Sequence, residues 1–146
     1  QPFSCGPDSS SGPYFLMRAT SSPISVCAAV IRNDGRWLLA ERRAGSHLER
    51  HWEFPGGKIH AGETPAECIV REIHEELGVE VECLGELAVI CHDYPEKSVE
   101  LRFLECRILA GAPHGREGQA VGWFSLDEMA GLTLAPADVV FLETLK

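Results

Sequence analysis

Between Gly57 and Val79 the chain reads GKIHAGETPAECIVREIHEELGV, and this stretch constrains the fold more than any other. Thr64 suits an N-cap, Pro65 the first helical position, and Glu67 completes a T-x-x-E capping box. Ala66, Ile69, Val70, Ile73 and Leu77 recur at helical spacing and predict a buried stripe, with Gly78 as the C-terminal cap. The same helix carries Glu72, Glu75 and Glu76 within an arc of about 100°, expected opposite that stripe. Like charges four residues apart, here Glu72 and Glu76, cost roughly a few tenths of a kcal/mol in an isolated helix. The helix dipole also disfavours anions in the last turn. A hard divalent cation would turn that repulsion into coordination.

Strands flank the helix on both sides. Ser25 to Ile31 reads as a buried strand, Asn33-Asp34-Gly35 as a tight turn, and Trp37 to Ala40 as the returning strand. Trp52-Glu53-Phe54 is a short strand that Pro55-Gly56-Gly57 is expected to end as a turn. Glu80 to Cys91 and Ser98 to Leu109 predict a long hairpin about Tyr94-Pro95-Glu96-Lys97. Val121 to Phe124 follows as another strand. Ser125 and Glu128 cap a brief helix, and Pro136 opens a terminal one. The order β-β-β-α-β-β-β-α-α predicts an α+β sandwich with a mixed sheet. Residues 1 to 23, rich in Ser, Pro and Gly, read as a flexible N-terminal extension, and 24 to 146 as one domain.

The 22 acidic residues outnumber the 13 basic ones for a formal charge of −9, which repels a phosphate backbone and disfavours nucleic acid as a partner. A small polyanionic substrate would be repelled as well, unless metal ions bind first and reverse the local sign. No apolar run approaches the roughly 20 residues that span a bilayer, so no membrane partner is expected. The cysteines at 5, 27, 68, 83, 91 and 106 form no C-x-x-C pair. Their spacing predicts free, mostly buried thiols in a reducing cytoplasm. The histidines at 47, 51, 60, 74, 92 and 114 are scattered through loops and helix flanks.

Gly57, Glu63, Arg71, Glu72, Ile73, Glu75, Glu76, Gly78 and Val79 fall at the spacing G-x5-E-x7-R-E-U-x-E-E-x-G-U, with U apolar. In this the chain resembles the Nudix hydrolases, which split nucleoside diphosphates linked to another group. ERRAGSHLERHWEFPGGKIHAGETP, GREGQAVGWFSL and LAPADVVFLETL are similar to stretches of the MutT-type members, so the likeness runs from about Val26 to Leu145. The last stretch is also similar to MutT-like CTP pyrophosphohydrolases. The resemblance implies a Nudix α/β/α sandwich and Mg²⁺-dependent hydrolysis of a nucleoside triphosphate to the monophosphate and pyrophosphate, with Mn²⁺ as the alternative ion. It points to 8-oxo-dGTP, and so to protection of replication from oxidised precursors. CTP or dCTP is the alternative substrate, and a non-catalytic nucleotide-binding module the reading from another class. The oligomeric state stays open between monomer and homodimer.

Carried over by position, the resemblance assigns Glu72, Glu75, Glu76 and Glu117 to metal binding and catalysis, with Gly56 offering its carbonyl. One of Glu72, Glu75 and Glu117 takes the proton of the attacking water. Glu63 and Arg71 pair with each other or orient the ligands. Arg43 and Lys58 match positions facing substrate phosphates, and Glu53 and Phe54 positions lining the nucleoside pocket. Asp138 matches a position set against the base edge; ionised, it only accepts hydrogen bonds. Lys97 replaces the Arg of the hairpin loop over the base and lacks that residue's planar stacking surface.

Overall fold

The computed structural model describes residues 23–146, so the expected N-terminal extension falls almost wholly outside the described residues. Within them the chain forms strands β1 (Ile24–Asn33), β2 (Arg36–Glu41), β3 (Trp52–Glu53), β4 (Gly56–Lys58), β5 (Glu80–Asp93), β6 (Ser98–Ala110) and β7 (Val121–Phe124). Helices α1 (Pro65–Leu77), α2 (Leu126–Met129) and α3 (Pro136–Leu145) complete it. One mixed sheet runs β3-β2-β1-β6-β5, with β4 paired to β1 and β7 to β2. β1 and β6 are parallel from Ile24↔Val99 to Ile31↔Cys106, while the other pairings are antiparallel. The β1–β2 hairpin turns on Asp34 and Gly35, both at positive φ (54° and 72°), as a two-residue primed turn requires.

Side chains alternate along β1 and so build both layers of the core. Cys27, Ala29 and Ile31 join Ile69, Ile73 and Leu77 of α1; Ala28 and Val30 join Phe103, Phe141 and Leu142 beneath α3. Phe103 and Phe141 stack with centroids 4.1 Å apart, and Phe54 meets both edge-on. This is the α/β/α sandwich the sequence predicts. No helix among the described residues is long and apolar enough to cross a membrane.

Three local expectations are corrected. Gly56 and Gly57 do not form a turn: they open β4 and pair with Ala28 and Cys27 of β1. A Cβ on Gly56 would lie 1.9 Å from the Cys27 carbonyl oxygen, so glycine is needed for close approach. On α1, Ala66 and Val70 are exposed and Cys68 is buried. The buried arc therefore centres nearer Ile69, and Glu76, seven residues on, projects only about 20° from it. The acidic residues consequently flank the core face instead of opposing it. Cys27, Cys68, Cys83 and Cys106 are free thiols as expected, whereas Cys91 is disulfide-bonded.

Candidate active site

Helix α1 is capped as its sequence demands: Thr64 Oγ1 accepts from Glu67 N–H at 3.1 Å, and Glu67 Oε1 accepts from Thr64 N–H at 2.9 Å. At the other end Gly78 adopts φ 71° and donates to the His74 carbonyl. The remaining C-terminal carbonyls need donors, and the 112–119 loop supplies them. His114 N–H donates to Leu77 O at 3.1 Å, Arg116 N–H to Glu76 O at 3.0 Å, and Gln119 Nε2 to Glu76 O at 3.3 Å. Docking of this loop on the helix end is what carries Glu117 to the acidic face.

The four carboxylates are not equivalent. Glu72 is 13% exposed and Glu75 57%. Arg71 ties the first turns together: Nε and Nη2 grip both oxygens of Glu63 at 2.6 and 2.9 Å. Its Nη1 reaches Glu72 at 2.8 Å and Glu75 at 3.2 Å, and Nη2 also donates to the Lys58 carbonyl at 3.1 Å. The Arg71 hydrogen bonds hold the Glu63 carboxyl down at about 2. Among the described residues Glu76 has no such cation. Burial first, then the charge of Glu72 and a hydrogen bond with it, push its carboxyl up to about 9, and Glu53 and Glu117 add to the repulsion. Glu117 is turned toward Arg43, with Nε 3.6 Å from Oε1.

A metal ion would have to be held by this set. Among the described residues no three His, Cys, Asp or Glu side chains are gathered closely enough to do so as they stand. The chemistry of the donors nonetheless fits a hard divalent cation: carboxylate oxygens, crowded enough to hold a proton on Glu76, with a cation's charge the obvious relief. Gly57 is part of the same arrangement, because a Cβ there would come within 2.3 Å of Glu72 Cδ.

β4 also lines a cavity of about 270 Å³. Gly56, Gly57 and Lys58 form the wall it shares with the acidic face, and Glu53, Phe54, Lys97 and Asp138 also line it. Arg43 does not. Its neighbour Arg42 does, since the β2–β3 ladder continues through Arg42 N–H to His51 O at 2.8 Å and leaves Arg42 Nη1 2.9 Å from Glu53 Oε1. Sequence reasoning also missed Tyr94, read only as a turn residue, and His92, and left His47 near the pocket loop without a role. The Tyr94 ring lies edge-on to both imidazoles, with centroids at 4.8 and 4.4 Å, and all three line the cavity. An aromatic residue at a hairpin tip was the available signal; only the return of β5 and β6 over the cavity gives it meaning.

Asp138, at 2% exposure, accepts from Phe54 N–H at 3.1 Å. Burial raises its carboxyl well above the usual range, Glu53 raises it further, and the Phe54 N–H and Arg42 oppose the rise. The shift is toward the protonated form, in which the carboxyl offers a donor as well as an acceptor. A folded-state pKa above the unfolded value gives stability that is present at low pH and lost as pH climbs toward the folded value. Asp138→Asn should therefore match the parent at pH 4 and exceed it at pH 8. The parent should lose up to about 1.4 kcal/mol per pH unit more than the variant as pH climbs from the unfolded value toward the folded one. Urea unfolding at stepped pH measures this, and parallel curves would place Asp138 in solvent.

The chain matches the NUDIX domain model over residues 21–145. It is 32% identical over 124 residues to the 8-oxo-dGTP diphosphatase of Escherichia coli, covering 84% of this chain and 96% of that one. It is 37% identical over 120 residues to the CTP pyrophosphohydrolase of the same organism, covering 82% and 89%. Among solved structures, the MutT NUDIX hydrolase from Burkholderia pseudomallei superposes with a TM-score of 0.79 at 30% identity, over 86% of this chain and all of that one.

Proposed function

This chain belongs to the NUDIX family, and from that premise we propose that it hydrolyses a nucleoside triphosphate to the monophosphate and pyrophosphate, with 8-oxo-dGTP as preferred substrate. The observation that carries the reading is the shared wall: Gly56, Gly57 and Lys58 line a base-sized cavity together with Asp138, and Gly57 also abuts the Glu72 carboxylate of α1. A nucleotide whose base enters the cavity would cross that wall with its phosphates.

Glu72, Glu76 and the Gly56 carbonyl would hold divalent ions, Mg²⁺ first and Mn²⁺ as alternative, with Glu75 and Glu117 turning in from Arg71 and Arg43. Such ions supply polarisation of the phosphate oxygens and a more acidic attacking water. An oxygen of Glu72, Glu75 or Glu117 takes the proton of that water. Glu63 acts through Arg71, whose fork fixes Glu72 and the Lys58 carbonyl. Lys58 offsets the charge of the incoming phosphates, Arg43 does so once Glu117 has turned away, and Lys97 stands in the hairpin loop over the base. Phe54 is held by Phe103 and Phe141, so it gives the base a rigid apolar wall. Glu53, paired with Arg42, borders the same pocket.

Asp138 supports two bases. Its oxygens can accept from the N1–H and N2–H of guanine or from the N4 amino group of cytosine. A CTP or dCTP pyrophosphohydrolase is thus the second reading, favoured by the same residue. The test is kcat/KM with Mg²⁺ for 8-oxo-dGTP, dGTP, CTP and dCTP. A preference for 8-oxo-dGTP over dGTP beyond about 100-fold, near 2.7 kcal/mol of differential transition-state binding, is the expected result. A cytidine preference would reassign Asp138 to the cytosine amino group. No turnover with metal bound would leave a nucleotide-binding module.

A further inference from the structure

We propose that Cys27 and Cys68 form a modification site, a thiol pair that a peroxide closes to a disulfide and that thereby disturbs the Gly56–Lys58 strand. Cys27 lies on β1 and Cys68 on α1, both fully buried, with sulfurs 2.6 Å apart. The bonded distance is about 2.05 Å, so closure needs little movement of the sulfurs. Both thiols also serve β4. Cys27 Sγ donates to Gly57 O at 3.5 Å, and Cys68 Sγ approaches Gly57 O at 3.7 Å and Lys58 O at 3.4 Å. Oxidation removes both S–H donors, leaving the Gly57 carbonyl without them, while Lys58 O keeps Arg71.

Cys27 also borders the cavity, which gives a small peroxide a route to the pair. With Arg71 Nη2 3.8 Å from it, the Cys68 sulfur is the nucleophile. It attacks the peroxide, an S–O bond forms as the O–O bond breaks, and an alcohol or water leaves with the thiol proton. The Cys27 sulfur then attacks Cys68, the S–S bond forms, the S–O bond breaks, and water leaves with the second proton. Two thiols lose two electrons in all, and the peroxide is reduced by the same two. Burial pushes both thiols up, so the reaction is slow and answers sustained oxidant.

The covalent step is independent of the proposed substrate; its effect on hydrolysis rests on that reading. The test treats the full chain with hydrogen peroxide, blocks remaining thiols by alkylation, and maps peptides by mass spectrometry. A Cys27–Cys68 linked peptide, two hydrogens lighter and released by dithiothreitol, is expected. Hydrolysis should fall about tenfold in step with it and return on reduction, as for disturbed groups that orient ligands. Cys83 and Cys106, opposite each other on β5 and β6, are the internal comparison. Their complete oxidation with no Cys27–Cys68 link overturns the site. A link without loss of hydrolysis, or equal loss in Cys68→Ala, overturns its coupling to β4. Since the link is read by mass on the parent protein, a poorly folding variant does not weaken the test.

Discussion

Glu76→Gln should lower metal-dependent hydrolysis by about 10³-fold while leaving the fold intact, the scale expected when one charged group of a preorganised site is lost. Glu76 is the α1 carboxylate with no cation of its own among the described residues, turned inward, crowded by Glu72 and pushed up to about 9. Those are poor conditions for an isolated acid and good ones for a ligand that shares a divalent ion. Two further outcomes separate this from a structural role. Without metal the Gln variant should melt at or above the parent temperature, because its neutral amide escapes the repulsion of Glu72, Glu53 and Glu117 and can still donate a hydrogen bond to Glu72. Addition of Mg²⁺ at 100 times its dissociation constant should stabilise the parent by about 2.7 kcal/mol, and the variant by much less. Full turnover by Glu76→Gln would remove it from the metal site.

Arg71→Ala should cost both stability and activity. The guanidinium makes a two-point grip on Glu63, bonds Glu72 and Glu75, and caps the Lys58 carbonyl. Removing it leaves three carboxylates facing one another. Breaking a buried ion pair costs roughly 3 to 5 kcal/mol, and Arg71, at 24% side-chain exposure, is discounted for solvent to at least about 2. Activity should fall about 10- to 100-fold, as for groups that hold metal ligands in place. Urea titration and kcat with Mg²⁺ measure the two losses. Arg71→Lys should recover part of the stability and little of the rate, since an ammonium lacks the planar fork. A loss below about 1 kcal/mol with normal kcat would make the cluster a solvated surface network.

Helix α1 was legible residue by residue because its signals are local. Thr64, Pro65, Glu67 and Gly78 act within one or two turns of chain, and the structure shows the capping box and left-handed cap they predict. The buried strand β1 and the long hairpin of β5 and β6 were legible for the same reason. The Gly56-Gly57 error came from applying a local rule to a long-range fact: those glycines answer to the Cys27 carbonyl and to Glu72, neither near in sequence. The direction of the acidic face was misjudged because Ala66 and Val70 were counted as core, and only the packed sheet decides which apolar residues are covered.

The spacing from Gly57 to Val79 determined by itself the family, the capped helix and the three carboxylates it carries, since each depends on residues within reach of one another along the chain. The tertiary structure alone decided which carboxylate is buried and which cation meets which acid. It alone turned Arg42 instead of Arg43, together with Tyr94, His47 and His92, toward the cavity. It also brought Cys27 against Cys68 and buried Asp138, which raises its carboxyl above the usual range. Those properties are set by burial and by charges brought together from distant segments, and desolvation has no counterpart in a sequence until the chain has closed around the group.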